Sequence, residues 1–176
     1  MALAESNRMR VYLDIETTFE QGISMIGMYR PDRGCIQLVG GGVTDVNLYA
    51  ALEGVQTIVT FNGTGFDLPY IRKRLLADLR AEYDHLDLMY LCRRHGLRGG
   101  LKAIEQRLGI ARASAGISGF DAPRLWARYE RAHDQHALDL LLTYNREDVI
   151  NLPTLEAHVN GDAIPDVNPQ VQVILS

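Results

Sequence analysis

The chain has 176 residues, of which 47% are hydrophobic and 23% are charged. These values are ordinary for a globular protein and exclude a disordered, collagen-like or coiled-coil chain. No stretch approaches the roughly 18 consecutive apolar residues of a membrane helix, and the formal net charge of −4 argues against a non-specific binder of polyanions.

The first third of the sequence alternates apolar runs with turn signals. Strands are predicted for four runs rich in apolar and β-branched side chains, which are residues 9–15, 23–29, 35–39 and 56–61. Pro, Asp and Gly within residues 30–34 indicate a turn, so the second and third strands form a hairpin. A helix is predicted over residues 45–52, with Asp45 as its N-cap and Gly54 after its end.

The second half is mostly helical in pattern. Helices are predicted over residues 68–79, over residues 101–108, from about Pro123, and over residues 134–158. Residues 86–91 fit either a short strand or a helix start. Gly109 ends the second of these helices, and Pro153 is expected to kink or end the last one. The tail over residues 159–176 carries Pro165 and Pro169 and is expected to be irregular.

This order of elements predicts an α/β fold with a mixed sheet covered by helices. The length indicates a single domain over residues 1–176, with its core over about residues 9–158. The N-terminal segment MALAESNRMR has no apolar run of signal-peptide length. Cys35 and Cys92 make no disulfide framework. We therefore expect a cytoplasmic protein without membrane association.

Charge is distributed unevenly along the chain. Residues 72–112 contain ten basic and five acidic side chains, whereas the remainder has eight basic and seventeen acidic ones. A basic face beside an acidic remainder suits a protein that holds both metal ions and a polyanion. Solvated helices would give the same pattern. The candidates for contact with a nucleic-acid backbone are Arg93, Arg94, Arg98 and Lys102, each of which could equally be a solvated surface residue.

The first group of chemical interest is Asp14-Ile15-Glu16 at the end of the first strand. Side chains two apart on a strand share a face, so Asp14 and Glu16 project together. Two carboxylates repel each other at the end of an apolar strand, and a divalent cation would relieve that repulsion. A strand that runs out into solvent would tolerate the same pair without a metal.

The second group lies in the segment TFNGTGFDLP, residues 60–69, between a predicted strand and a predicted helix. Its two glycines allow a sharp turn or a close approach to a ligand. Asp67 is therefore either a ligand at this turn or an ordinary N-cap.

The third group is YNRED, residues 144–148, within the last long helix. Tyr144 and Asp148 are four residues apart and lie on one helix face. That face is otherwise apolar, so Asp148 is a candidate buried ligand. Tyr144 is either a functional group or a core residue.

Taken together, Asp14, Glu16, Asp67 and Asp148 supply four carboxylates without a cluster of Cys or His. Such hard oxygen ligands select Mg²⁺ or Mn²⁺. A strand end, a strand-to-helix turn and a late helix can meet at one edge of a sheet. Two ions about 3.5–4 Å apart could then act on a phosphodiester.

The ordered motifs DIETT, FNGTGFDLP and YNREDV resemble the three exonuclease motifs of the DEDDy branch of DnaQ-like 3′–5′ exonucleases, which belong to the ribonuclease H-like superfamily. The wider pattern of HLDLMYLCRR, LKAIEQRLGI, APRLW and YNREDV resembles the YprB-type ribonuclease H-like family. The resemblance implies a ribonuclease H-like fold, whose mixed central sheet has a three-strand antiparallel part plus parallel strands and is flanked by helices.

The same resemblance implies roles for individual residues. Asp14 would bridge two Mg²⁺ or Mn²⁺ ions, and Glu16, Asp67 and Asp148 would complete their ligand shells. Tyr144 would orient or help deprotonate the attacking water. The terminal nucleotide would be held by Thr17, Thr18, Asn62 and Phe66, although Phe66 is more simply a core residue.

Some positions depart from the family pattern or have simpler explanations. Phe19 stands where many relatives have Gly, and it is a candidate wedge against the terminal base. Asp87 matches a family position, yet a helix N-cap or a supporting hydrogen bond explains it better. The five histidines lack the spacing of metal ligands and are expected at the surface or at helix caps, and Gly40-Gly41-Gly42 is not a phosphate loop.

The resemblance implies a metal-dependent 3′–5′ exonuclease that hydrolyses DNA or RNA with a free 3′ end. Carboxylate chemistry alone indicates only a two-metal phosphodiesterase. The alternatives are a non-catalytic nucleic-acid-binding module of the same fold within a larger nuclease or helicase assembly, and an endonuclease of related fold. The type of nucleic acid and the oligomeric state stay open.

Overall fold

The structure is a computed structural model that describes residues 9–114 and 116–176. Most of the N-terminal segment considered for a signal peptide lies outside these residues. The strands are β1 (Arg10–Thr17), β2 (Ile23–Arg30), β3 (Gly34–Val39), β4 (Thr57–Thr60), β5 (Asp84–Asp87) and β6 (Val171–Ile174). The helices are α1 (Asp45–Ala51), α2 (Asp67–Leu75), α3 (Leu79–Glu82), α4 (Leu88–Arg94), α5 (Leu101–Leu108), α6 (Ala122–Ala132), α7 (Gln135–Ile150) and α8 (Leu152–Asn160).

The six strands form one mixed sheet in the order β5-β4-β1-β2-β3-β6. The first three strands of the chain pair antiparallel. β4 pairs parallel with β1, and β5 pairs parallel with β4. The predicted fold class, a mixed sheet with an antiparallel three-stranded part flanked by helices, is confirmed.

Side chains of β1 alternate between the two faces of the sheet, as its sequence predicts. Val11, Leu13 and Ile15 are buried in a core cluster that includes side chains of α1 and α2. Tyr12 belongs to a cluster on the other face, which includes side chains of α4 and α8. Asp14 and Glu16 share this second face, against which α7 packs.

Two predicted helices have different bounds in the structure, and the segment that the sequence left open is resolved. The helix predicted over residues 68–79 ends at Leu75, because Leu76 adopts the left-handed conformation with φ of 58°. The predicted helix over residues 134–158 is two helices that meet at Asn151, with Pro153 in the first turn of the second. Residues 86–91 divide between the end of β5 and the start of α4.

The expectation of an irregular tail over residues 159–176 is wrong in its last part. β6 pairs parallel with β3 and extends the sheet beyond the predicted core. Its side chains at Val171 and Val173 are exposed. A four-residue edge strand of this kind depends on the neighbouring strand for its hydrogen bonds, so it leaves little periodic signal in the sequence. None of the helices in the described part of the chain is long and apolar enough to cross a membrane.

Candidate metal centre

Two carboxylates lie at the C-terminal end of β1. Asp14 pairs with Gly27 of β2, and Glu16 pairs with Met25. The register then shifts between Glu16 and Thr17, so the strand pairing changes immediately after the acidic pair. Glu16 is only 5% exposed. The reading of this pair as a strand end running into solvent is therefore wrong.

α7 brings a third carboxylate to the same place. Tyr144 and Asp148 are both buried on the face of α7 that packs toward the sheet. One carboxylate oxygen from each of Asp14, Glu16 and Asp148 lies within 4.8 Å of the other two. The structure therefore brings together three of the four carboxylates singled out in the sequence.

The fourth carboxylate, Asp67, is buried beside this group and not within it. Asp67 is the first residue of α2, and its Oδ1 accepts a hydrogen bond from the backbone N–H of Ile15 at 2.9 Å. This contact ties the start of α2 to β1 between Asp14 and Glu16. The sequence could not show that a carboxylate at a helix start would bond to a strand 52 residues away.

Burial and mutual repulsion raise the pKa values of these groups. Burial is the main cause of the raised pKa of Asp14 and of Glu16, and the charges of Asp148 and Asp67 add to it in both cases. Burial also raises the pKa of Asp67 to about 7. The pKa of Asp148 is raised to about 6, mainly by burial and against the opposing effect of Arg112.

The donor set fits a divalent cation. Among the described residues, no hydrogen-bond donor reaches the buried Oε1 of Glu16. A buried oxygen without a donor is costly, because it has lost water and gained nothing in return. Asp14, Glu16 and Asp148 offer only hard oxygen ligands, which suit Mg²⁺ or Mn²⁺.

The side-chain amide of Asn145 forms a hydrogen bond with Asp14. Asn145 of α7 donates from Nδ2 to Asp14 Oδ2 at 3.3 Å, and its Oδ1 accepts from Gln37 Nε2 at 3.0 Å. Asn145 can approach this closely because residue 27 is glycine. A Cβ there would lie 2.2 Å from Asn145 Oδ1.

Tyr144 lies beside the carboxylates with cations near its ring. Lys102 Nζ is 4.0 Å from the ring centroid, and the Arg112 guanidinium carbon is 5.5 Å from it. Burial, followed by the charges of Asp148 and Glu16, raises the pKa of Tyr144 above its ordinary value. The hydroxyl therefore stays protonated at neutral pH and can donate a hydrogen bond.

Two adjoining hollows of about 320 and 420 Å³ open over the site. Both are lined by Asp14, Gly119, Phe120, Tyr144 and Asp148. The first hollow is also lined by Thr17 and Phe66, and the second by Phe61 and Lys102. The two hollows together form one cleft. This cleft has a polar region of carboxylates at its base and an apolar region of phenyl rings at its rim.

Of the predicted substrate contacts, Thr17 and Phe66 line this cleft. Phe66 is 39% exposed and is not the core residue that the sequence favoured. Thr18 lies in the turn after β1, where its hydroxyl oxygen accepts from the Gly22 N–H at 3.0 Å. Phe19 is exposed in the same turn and is not among the residues described as lining the cleft.

Asn62 and Asp87 form a structural pair. Asn62 has a left-handed backbone with φ of 65°, and its N–H donates to Asp87 Oδ1 at 2.8 Å. Asp87 also accepts hydrogen bonds from the backbone N–H groups of Thr64 and Met89. The second of these bonds makes Asp87 the N-cap of α4. The interpretation of Asp87 as a cap and supporting group is confirmed. Asn62 is not among the residues that line the two hollows over the site.

Among the four basic candidates, Lys102 lines the cleft. Arg93, Arg94 and Arg98 are exposed on α4 and the loop that follows it. The histidines lie at the surface, except for half-buried His85, whose Nε2 is 3.0 Å from Thr60 Oγ1.

Sequence reasoning missed several residues that shape the site. Asn145, Gln37, Arg112 and Phe120 were not singled out. Asn145 could have been found, because it lies three residues before Asp148 and is next to Tyr144 on a helix whose buried face was recognised. The others come from distant segments, and nothing in their spacing indicates where the fold places them.

A family model described as RNase_H_2, of the RNase_H superfamily, matches residues 11–160. These residues make up most of the chain, so the chain belongs to the RNase H superfamily. The family match agrees with the mixed sheet of the structure.

The chain is also similar to a protein named "Uncharacterized protein YprB" from Bacillus subtilis (strain 168). The two are 32% identical over 116 residues, which cover 60% of this chain and 28% of that protein. The chain thus spans less than a third of the relative's length.

Among solved structures, the family B DNA polymerase from the archaeon Pyrobaculum calidifontis matches with a TM-score of 0.59 and 18% identity. The match covers 81% of this chain and 23% of the polymerase, and it supports the fold. The EXD2 exonuclease domain soaked in Mn and GMP has 20% identity, with 95% of this chain and 90% of that one covered. Its TM-score of 0.38 is below the level that indicates a shared fold.

Proposed function

We propose that this chain is a 3′–5′ exonuclease of the DEDDy, DnaQ-like type, which hydrolyses phosphodiester bonds of DNA or RNA with two Mg²⁺ or Mn²⁺ ions. The observation that carries the proposal is the group of Asp14, Glu16 and Asp148, whose oxygens lie within 4.8 Å of one another. Glu16 Oε1 is buried within that group and finds no donor among the described residues.

The charge balance at the site favours the binding of a cation. Asp14, Glu16, Asp67 and Asp148 are near one another, Arg112 pairs with Asp148, and Lys102 acts on Glu16 and Asp148. Glu105 and Glu147 also pair with the Arg112 guanidinium, so it is shared among several carboxylates. Buried carboxylates without enough positive charge either take up protons or bind a metal ion.

When bound, divalent ions would stabilise charge on the phosphoryl oxygens and make a water easier to deprotonate. Asp14, Glu16 and Asp148 would hold the ions. Asp67, buried beside this group, would help to complete the ligand shells of the ions, as the sequence resemblance implies. Its hydrogen bond to Ile15 N also holds β1 against α2.

Tyr144 would orient the attacking water. Its raised pKa supports an orienting hydroxyl that donates a hydrogen bond, in preference to a base. Its ring also closes one wall of the cleft beside Asp148.

Two exposed phenyl groups suit the base and sugar of a terminal nucleotide. Phe120 is 90% exposed at the rim of both hollows, and Phe66 lines one of them. Unpaired bases stack on such rings at about 1–3 kcal/mol each. Lys102 in the second hollow could approach a phosphate. Thr17 would contact the same nucleotide, whereas the positions of Thr18 and Asn62 give little support to direct contact.

We also propose that residues 1–176 form one domain in a cytoplasmic protein. The single sheet, whose strands extend from Arg10 to Ile174, supports the first part. The buried free thiols of Cys35 and Cys92 suit a reducing compartment.

The test is a panel of DNA and RNA strands, each single-stranded or duplex and labelled at the 5′ or the 3′ end. The strands are incubated with Mg²⁺, Mn²⁺ or EDTA, and the products are resolved by length. We expect mononucleotide release from the 3′ end with either ion and none in EDTA. Binding without cleavage would indicate a non-catalytic module, and oligonucleotide products would indicate an endonuclease.

A further inference from the structure

Arg112, in the loop after α5, is nearly buried against the candidate metal centre. Its side chain is 9% exposed, and its guanidinium faces three carboxylates. Nη2 lies 2.5 Å from Asp148 Oδ1, and Nη1 lies 2.9 Å from Glu105 Oε2. Nε is 3.7 Å from Glu147 Oε2. One cation thus connects α5 with two consecutive acidic residues of α7.

The guanidinium is itself fixed by its surroundings. Glu105 is fully buried, and its second oxygen accepts from Asn151 Nδ2 at 3.0 Å. Glu147 accepts from the backbone N–H groups of Ala113 and Ser114, so the loop beside Arg112 is anchored to α7. A planar fork with anchored partners cannot rotate freely.

The same fork fixes the Asp148 carboxylate. Arg112 Nη2 donates a hydrogen bond to Asp148 Oδ1. The same nitrogen lies 3.4 Å from the carbonyl oxygen of Tyr144, one turn earlier on α7. With Oδ1 engaged by Arg112, the orientation of the whole carboxylate is set. Asp148 would otherwise be drawn toward whichever positive charge is near it, Lys102 included.

We propose that Arg112 is a positioning residue, which holds the Asp148 carboxylate in the orientation that binds the divalent ion. This inference rests on the proposed function, since it assumes that Asp148 is a metal ligand. Partners that orient a metal ligand typically contribute 10–100-fold to metal affinity.

A different role for Arg112 would be to neutralise excess negative charge without orienting anything. The two roles predict different metal affinities for two substitutions of Arg112. Arg112→Lys keeps the charge but loses the fork, so a pure counter-charge would leave metal affinity unchanged. Arg112→Gln removes a cation that repels the metal, so a pure counter-charge predicts tighter metal binding.

The experiment is a titration of each purified protein with Mn²⁺ alone, in which free Mn²⁺ is measured by electron paramagnetic resonance. We expect Arg112→Lys and Arg112→Gln each to bind Mn²⁺ at least tenfold more weakly than wild type. The matched control is Arg10→Lys, which alters another arginine 2.5 Å from a glutamate, Glu156, at the other end of β1. It should bind Mn²⁺ within twofold of wild type.

Thermal melts in EDTA first establish that each variant is folded, and the two Arg112 variants provide independent tests. Arg112→Lys affinity within twofold of wild type, or tighter binding by Arg112→Gln, would overturn the positioning role. An equal loss in Arg10→Lys would also overturn it, because the effect would then be global. If wild type itself binds no Mn²⁺, the proposed function fails at its first step, which is a different result from all of these.

Discussion

Acidic side chains are buried at both ends of β1, but the hydrogen-bond donors around them differ. At the N-terminal end, Glu156 of α8 accepts from Arg10 Nη1 at 2.5 Å and from the Tyr12 hydroxyl at 2.8 Å. Each oxygen of that carboxylate has a donor. At the C-terminal end, Asp14 and Glu16 lie among further carboxylates, and the described residues supply no donor to Glu16 Oε1.

This contrast separates a structural acid from a candidate ligand. Because the acids at both ends are buried, burial alone does not distinguish a structural acid from a metal ligand. The distinguishing feature is the number of donors and cations available to each oxygen, which is sufficient around Glu156 and insufficient around Glu16. Excess buried negative charge destabilises the protein without a metal, and such a site persists where binding requires it.

The largest expected effect comes from substituting one acid at each end. Asp14→Asn keeps the side-chain volume but removes the charge at the centre of the group, so we expect cleavage to fall by at least 10³-fold, about 4 kcal/mol in barrier. Glu156→Gln should leave the cleavage rate per folded molecule near wild type. Rates measured on a single-stranded, end-labelled substrate check both.

Melting temperatures in EDTA complete this comparison. Asp14→Asn should melt at or above wild type because it relieves repulsion. Glu156→Gln weakens a partly buried ion pair and should cost about 1–3 kcal/mol, a drop of roughly 2–4 °C per kcal/mol. Near-normal cleavage by Asp14→Asn, or full stability in Glu156→Gln, would remove the distinction between the two ends.

The sequence predicted much of this because some signals are local. Alternation along β1 showed that Asp14 and Glu16 share a face, and the four-residue spacing on α7 put Tyr144 and Asp148 together. The antiparallel hairpin of β2 and β3 followed from apolar runs separated by turn residues. These features depend on neighbours in the chain, so a sequence pattern can carry them.

The unpredicted features depend on contacts between distant segments. Arg112 meets Asp148 across 36 residues, and Asp67 meets Ile15 across 52. β6 becomes a strand only beside β3, and Phe66 is exposed because the turn before α2 faces the cleft. Periodicity in one segment carries no information on such pairings.

The next largest effect tests the hydroxyl of Tyr144. Tyr144→Phe removes only this group and leaves the ring beside Lys102 and Arg112. We expect cleavage to slow by about 10²-fold, less than in Asp14→Asn, because an oriented proton donor contributes roughly 10²–10⁴-fold. Mn²⁺ affinity should stay within about twofold of wild type. An unchanged rate would make Tyr144 a packing residue.

A smaller effect tests cation binding directly through its influence on stability. Mn²⁺ at a hundredfold excess over its dissociation constant should stabilise the wild type by about 2.7 kcal/mol, or roughly 5–10 °C. Asp148→Asn keeps a hydrogen-bond acceptor for Arg112 but loses the ligand charge, so most of the shift should disappear. The control is Asp139→Asn on the exposed side of α7, which should show the full shift. Equal shifts in all three proteins would mean that Asp148 is not a ligand.

The smallest effect concerns pH, and it follows from the raised pKa of Asp67, about 7 because of burial. In the unfolded chain the pKa of an aspartate is about 3.9. Between these values the folded protein holds the proton more often than the unfolded chain does. The free energy of unfolding in EDTA therefore falls as pH rises from about 4 to about 7.

Asp67→Asn isolates this contribution, because the asparagine oxygen can still accept from Ile15 N while the charge is gone. Between pH 5 and pH 8 the variant should gain stability over the wild type by on the order of 2 kcal/mol, about 4–8 °C. Histidines and other acids titrate in both proteins, so the difference between the two curves reports Asp67. Saturating Mn²⁺ should shrink the advantage or reverse it, since the ionised carboxylates then gain a cation. A constant difference across the pH range would show that Asp67 is ionised throughout, and that the crowding of acids at this end of β1 costs little.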